Sequence, residues 1–99
     1  MELVRTNGFT AKDLFNVASA TPLKNVDGQE LNVTDVCIRP NKDGEAVGYL
    51  KDEDGVCYAT ISATCIEQIE SLSELVPATV RVTSKKSNGG RTYFVLELV

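Results

Sequence analysis

Histidine and tryptophan are absent from this sequence, and cysteine occurs only at positions 37, 57 and 65. Zinc sites draw on Cys and His at short spacings. Three cysteines without a C-x-x-C pair therefore point away from a metal centre, and toward small apolar side chains that pack in a core. Without histidine, acid–base chemistry would fall to paired carboxylates or a perturbed lysine, and no spacing marks either. There is no phosphate-cradling glycine pattern and no Ser or Cys nucleophile signature. The acidic run Lys51-Asp52-Glu53-Asp54-Gly55 lacks the alternation and the distal Glu of a calcium loop, so a solvated turn is expected. The chain is accordingly expected not to be an enzyme and to need neither metal nor cofactor.

Long apolar runs are missing too. Nothing approaches the ~20 residues that span a bilayer, and the opening Met-Glu-Leu-Val-Arg does not read as a signal peptide. A cytoplasmic protein without membrane association is expected. Its 99 residues suit one domain, divided into an N-terminal helical segment (1–21) and a β-rich remainder (22–99).

Acidic residues prevail, for a net charge of −4, but unevenly. From Ala78 to Leu96 there are four cations (Arg81, Lys85, Lys86, Arg91) and no acid. Screening over ~8–10 Å lets such a patch attract an anion despite the total.

A first helix is expected at 10–20, with Thr10 and Asp13 forming a capping box and Leu14, Phe15 and Ala18 its apolar side, stopped by Pro22. The apolar phase then shifts along Leu31, Val33, Val36 and Ile38, which predicts one long strand bent at a bulge. Two β-rich runs flank the turn at Asp52–Gly55. Ile66, Ile69, Leu72 and Leu75 or Val76 recur at helical spacing between a Thr64–Glu67 capping box and Pro77. A final hairpin turns at Ser87-Asn88-Gly89-Gly90. This order predicts a mainly β fold, a five-stranded OB-fold-like barrel with a helix between strands 3 and 4 and a short N-terminal helix.

Strand alternation sorts residues by face. Phe94, Leu96, Leu98, Val80, Val82, Cys57, Ala59, Ile61, Gly48 and Leu50 are expected inside. Tyr49, Tyr58 and Tyr93 are expected outside, together with Lys51, Arg81 and Arg39. Tyrosines interleaved with cations are the parts of a single-strand platform, in which each stacked base contributes ~1–3 kcal/mol. The same tyrosines would also serve as ordinary cross-strand pairs. Lys85, Lys86 and Arg91 fit either a solvated hairpin tip or a loop that closes over a bound strand.

The strand entry Gly28-x-x-Leu31-x-Val33-x-Asp35, the strand Gly55-x-x-Tyr58-x-Thr60-x-Ser62, the Ile/Leu helix and the closing Thr92-Tyr-Phe-Val-Leu-Glu-Leu98 together resemble the small single-stranded DNA-binding proteins of phages of Gram-positive bacteria. The resemblance spans residues 22–99. It implies an OB-fold that coats single-stranded DNA without catalysis during replication or recombination, in the host cytoplasm. The positions it implicates are Tyr49, Lys51, Tyr58, Tyr93, Lys85, Lys86 and Arg91. Replication proteins are a further candidate partner; the sequence leaves the oligomeric state open, the strand edges near 95–99 being a place where a second copy of the chain could pair. The departures are the lack of tryptophan and of a long acidic C-terminal tail. The rival expectation is a small protein–protein interaction module, a phage accessory or inhibitory protein using the same tyrosine-rich face.

Overall fold

A computed structural model describes residues 4–6, 8–16 and 19–99, the side chains of 4, 5 and 14–16 left aside. Its elements are β1 (Val4–Arg5), α1 (Ala11–Asn16), β2 (Thr21–Pro22), a 3-10 turn (Leu23–Val26), β3 (Glu30–Pro40), β4 (Ala46–Asp52), β5 (Cys57–Thr60), α2 (Ala63–Leu72), β6 (Ala78–Lys86) and β7 (Thr92–Leu98). One mainly antiparallel sheet runs β2-β5-β4-β3-β6-β7, with β1 added to β3, and it curls into a half-barrel. The five long strands, and the helix between the third and fourth of them, follow the expected order. The two-residue strands β1 and β2 were not foreseen, because neither is long enough to show a period. They fasten the N-terminal segment to the sheet at both ends.

The bend in β3 lies where the apolar phase shifts, with the register against β4 slipping between Val33 and Asp35. This lets β3 pair with β6 through Glu30–Val33 and with β4 through most of its length. The turns form at the expected Asp-Gly and Gly-Gly steps. Gly55 and Gly90 have φ of 82° and 80°, a region costly for side-chain-bearing residues.

The interior of the half-barrel is filled by Leu31, Val33, Val36, Ile38, Leu50, Val80, Val82 and Leu96 from the strands, Leu23 and Val26 from the 3-10 turn, and Cys65, Ile69 and Leu72 from α2. The capping of α2 differs from expectation: Ser62 caps it, its Oγ accepting from the Cys65 N–H at 3.4 Å, rather than Thr64. The helix also closes the free edge of β7. Gln68 Oε1 accepts the Leu96 N–H at 2.7 Å, and the Cys65 thiol donates to the Phe94 carbonyl at 3.0 Å. An exposed strand edge is thus satisfied by side chains instead of another strand.

A second, smaller cluster lies on the opposite side of the sheet. Phe9 packs there with Cys37, Val47 and Tyr49, against Ala20, Cys57 and Ala59. The capping box of α1 forms as expected: the Thr10 N–H donates to Asp13 Oδ2 at 2.8 Å, and the Asp13 N–H to Thr10 Oγ1 at 3.3 Å. The expected apolar side of this helix falls on Leu14, Phe15 and Ala18, which lie outside the described residues or side chains.

Candidate nucleic-acid interface

The three tyrosines do not share a face. Tyr58 pairs in register with Leu50 and therefore points into the half-barrel, where it packs against the main core. Its hydroxyl donates to Asp52 Oδ2 at 3.2 Å, and burial, with the Asp52 charge and hydrogen bond, raises the phenol above its ordinary range. The outward assignment of Tyr58, and the inward one of Cys57, Ala59 and Ile61, are inverted. Cys57 and Ala59 support the second cluster, and Ile61 is 72% exposed. Both sides of β5 are covered, so its apolar alternation marked the face under Phe9 rather than the interior.

Tyr49 is on the outer face, as expected, but only 9% exposed. The Phe9 ring lies against it, with centroids 6.3 Å apart and planes tilted by 45°. Burial raises its phenol, which the neighbouring Arg39 charge partly offsets. Lys51, next along β4 on that face, donates from Nζ to Asp13 Oδ2 at 2.9 Å and to the Gly8 carbonyl at 3.1 Å. Its hydrogen bond to Asp13 holds its ammonium above the usual range despite burial. Burial would raise the Asp13 carboxyl, yet the Thr10 and Lys51 hydrogen bonds outweigh it and leave it low. Neither Tyr49 nor Lys51 is open to a ligand in this arrangement.

Two of the four cations in the late positive stretch are neutralised. Arg81 is paired with Glu30 at 2.8 Å, and Lys85 with Glu97 at 3.6 Å. These pairs are exposed and weak, at about 0–1 kcal/mol, but they reduce the local field. Of the cations expected at the site, Lys86, Arg91 and Arg39 stand exposed without an ion pair among the described residues. Lys86 faces Thr92 across the hairpin, and Arg39 faces Val47 across β3 and β4.

Tyr93 is half-buried and opposite Lys85 in register. It stands at the mouth of a groove of about 480 Å³ along the seam between β7 and β5 with its short partner β2, across which the sheet does not pair. The floor is apolar, from Leu23, Val47, Ala59 and Phe94, and the walls carry Thr60, Ile61, Ser62, Thr92 and Tyr93. Lys24 is the one cation of the lining, which holds no acid. Apolar flat surface beside a cationic rim can take a base on its floor and a phosphate at its edge.

Lys24 and Ile61 are the residues that sequence reasoning missed here. Nothing in the sequence singles out Lys24. The position of Ile61 was within reach, because counting the register outward from the Asp54-Gly55 turn sets Cys57 opposite Lys51 and Tyr58 opposite Leu50.

Among the described residues no cluster of acids and cysteines is placed to hold a metal ion, and no helix is long and apolar enough to cross a membrane. The Cys57 and Cys65 thiols are both pushed up by burial, the reverse of an activated nucleophile. No protein-family model, curated protein or solved structure matches the chain.

Proposed function

We propose that this chain is a single-stranded DNA-binding protein of the OB type, binding with little sequence preference and without catalysis, in keeping with its resemblance to the phage proteins. The observation that carries this reading is the acid-free groove at the β5–β7 seam, with Tyr93 at its mouth and the unpaired Lys86 and Arg91 on the adjoining hairpin. The partly open sheet, whose long strands and helix follow one another as an OB-fold requires, supports the fold assignment. Bases stack on Tyr93 and the groove floor, while Lys24, Lys86 and Arg91 hold phosphates. The site residues are therefore redistributed: Tyr93, Lys86 and Arg91 are kept, Lys24 is added, and Tyr58 is removed.

Anisotropy of a labelled oligo-dT strand tests this. Micromolar protein should bind at low salt, and log K should fall linearly with log salt, by ~0.7 per phosphate contact. Arg91→Ala and Lys86→Ala should each flatten that slope by about one contact, and Tyr93→Ala should weaken binding by ~1–3 kcal/mol. Absence of binding at low salt disproves the reading.

A second reading, the protein–protein module, draws support from a separate apolar surface. Leu75 and Leu98 are 53% and 63% exposed and line a groove between α2 and β7. A host protein captured equally with and without nuclease, together with no oligonucleotide binding, would favour it.

A further inference from the structure

Three of the outward residues expected to touch DNA, Arg39, Tyr49 and Lys51, do lie on one face, the outer side of β3 and β4. Two of them are covered by the chain itself. An aromatic ring rests on Tyr49 and an anionic carboxylate on Lys51, where a nucleotide would bring an aromatic base and an anionic phosphate. We propose that residues 8–16 are a displaceable cover over a second, latent single-strand surface, with Phe9 in the place of a base and Asp13 in that of a phosphate. This inference rests on the DNA-binding reading above and extends it to a face that the seam groove does not use.

The way the segment is fastened fits such a role. Before it, Thr6 is pinned to β3: its N–H donates to the Val36 carbonyl and its Oγ1 to Asp35 Oδ1, while it accepts the Val36 N–H. After it, Thr21 and Pro22 pair with β5. A stretch anchored at both ends can lift and return without loss of register. Between the anchors, among the described residues, the hold comprises the Phe9 ring, 1% exposed, the Lys51–Asp13 contact, whose side chains are 20% and 15% exposed, and Gly8, whose carbonyl accepts from Lys51 and whose N–H donates to Asp35 Oδ1.

The sheet separates this small cluster from the main core, to which none of the described residues between Thr6 and Thr21 contributes. Opening therefore uncovers Cys37, Val47 and Tyr49 and leaves the interior sealed. Asp35, the acid on that face, stays engaged by the Thr6 hydroxyl at the anchor. Arg39, already exposed beyond Tyr49, provides a second cation.

Phe9→Ala and Asp13→Asn test the idea, each checked by far-UV circular dichroism for an intact fold. Losing a fully buried phenyl should raise the open population about ten- to a hundredfold, and the apparent affinity for oligo-dT rises with it. Asp13→Asn, which keeps the side-chain shape, should give a gain of about two- to fivefold. The rate of Cys37 labelling by a thiol reagent, read without DNA, should rise in both variants, while Cys65 in the main core stays protected. Tyr49→Ala added to Phe9→Ala should cancel the gain in affinity. Faster Cys37 labelling with unchanged DNA affinity would refute the latent site, and unchanged labelling would refute the displaceable cover. If neither wild type nor variants bind oligo-dT at low salt, the functional reading itself falls, and the labelling result still reports on the cover.

Discussion

Gly48 offers the sharpest test of how the half-barrel is closed. It lies on the interior side of β4, opposite Ile38 and Thr60, directly beneath α2. A Cβ added there would come within 2.6 Å of Ile69 Cδ1 and 3.3 Å of Ile66 Cγ1. Ile69 is completely buried, so its terminal methyl can move aside only against other core side chains. Overpacking of this kind costs ~1–3 kcal/mol. Gly→Ala in a strand returns ~0.5–1 kcal/mol of backbone entropy. The net expectation for Gly48→Ala is a loss of up to ~2.5 kcal/mol, centred near ~1 kcal/mol. At a urea m-value of ~1–1.5 kcal/mol/M for a chain of this size, the midpoint drops by about 1 M.

The atom in the way is identified, which makes the reasoning exposed to refutation. Ile69→Val deletes that Cδ1 and alone should cost ~0.5–1.5 kcal/mol. In the Gly48→Ala background the same deletion makes room, so the double variant should be more stable than the sum of the singles by ~1 kcal/mol. Equilibrium unfolding in urea, followed by circular dichroism because the chain has no tryptophan, measures all four corners of the cycle. A Gly48→Ala protein as stable as wild type, or a strictly additive double variant, would show that α2 does not press on β4 as described.

Two further outcomes are expected. The folded Asp13 carboxyl titrates below its unfolded value, so its contribution to stability is present above pH ~4 and is lost as pH falls through the folded value. Lys51, raised in the folded state, keeps its share up to pH ~10 and loses it above. The urea midpoints of wild type and Asp13→Asn should differ by a constant amount from pH ~5 to ~9 and converge under strong acid; a gap that persists in acid would remove the ion pair from the account. Gln68→Leu leaves the Leu96 N–H without its acceptor. It should cost ~1–2 kcal/mol and speed hydrogen exchange at Leu96, whereas unchanged protection would show that α2 does not secure the β7 edge.

Much of the architecture was legible because local rules and tertiary structure agree. The Thr10–Asp13 box, the phase slip within β3 and the Asp-Gly turns each carry their structure in a few adjacent residues. Strand faces were legible where one side of the strand is wet: Val80 and Val82 alternate with the exposed Arg81 on β6. On β4 and β5 that condition fails. Val47 and Tyr49 are buried along with Leu50, because Phe9, some forty positions away in sequence, reaches over them. No window of local sequence contains that contact. Likewise a cation count cannot tell Arg81 and Lys85, which form ion pairs with Glu30 and Glu97 on neighbouring strands, from the unpaired Lys86 and Arg91. The groove at the seam was invisible for the same reason, since residues 22–24, 60–62 and 92–94 meet only once the sheet has curled.

The bend in β3 has a kinetic consequence. β4 and β5 reach each other through a short hairpin, as do β6 and β7. The two halves of the sheet, however, are joined in register only where Glu30–Val33 meets Ala78–Arg81, about fifty residues later in the chain. Each hairpin can assemble on its own within microseconds, but that junction must close a long loop before any of the interior is shielded. Its formation sets the pace, and folding belongs to the millisecond-to-second regime of proteins rich in distant contacts.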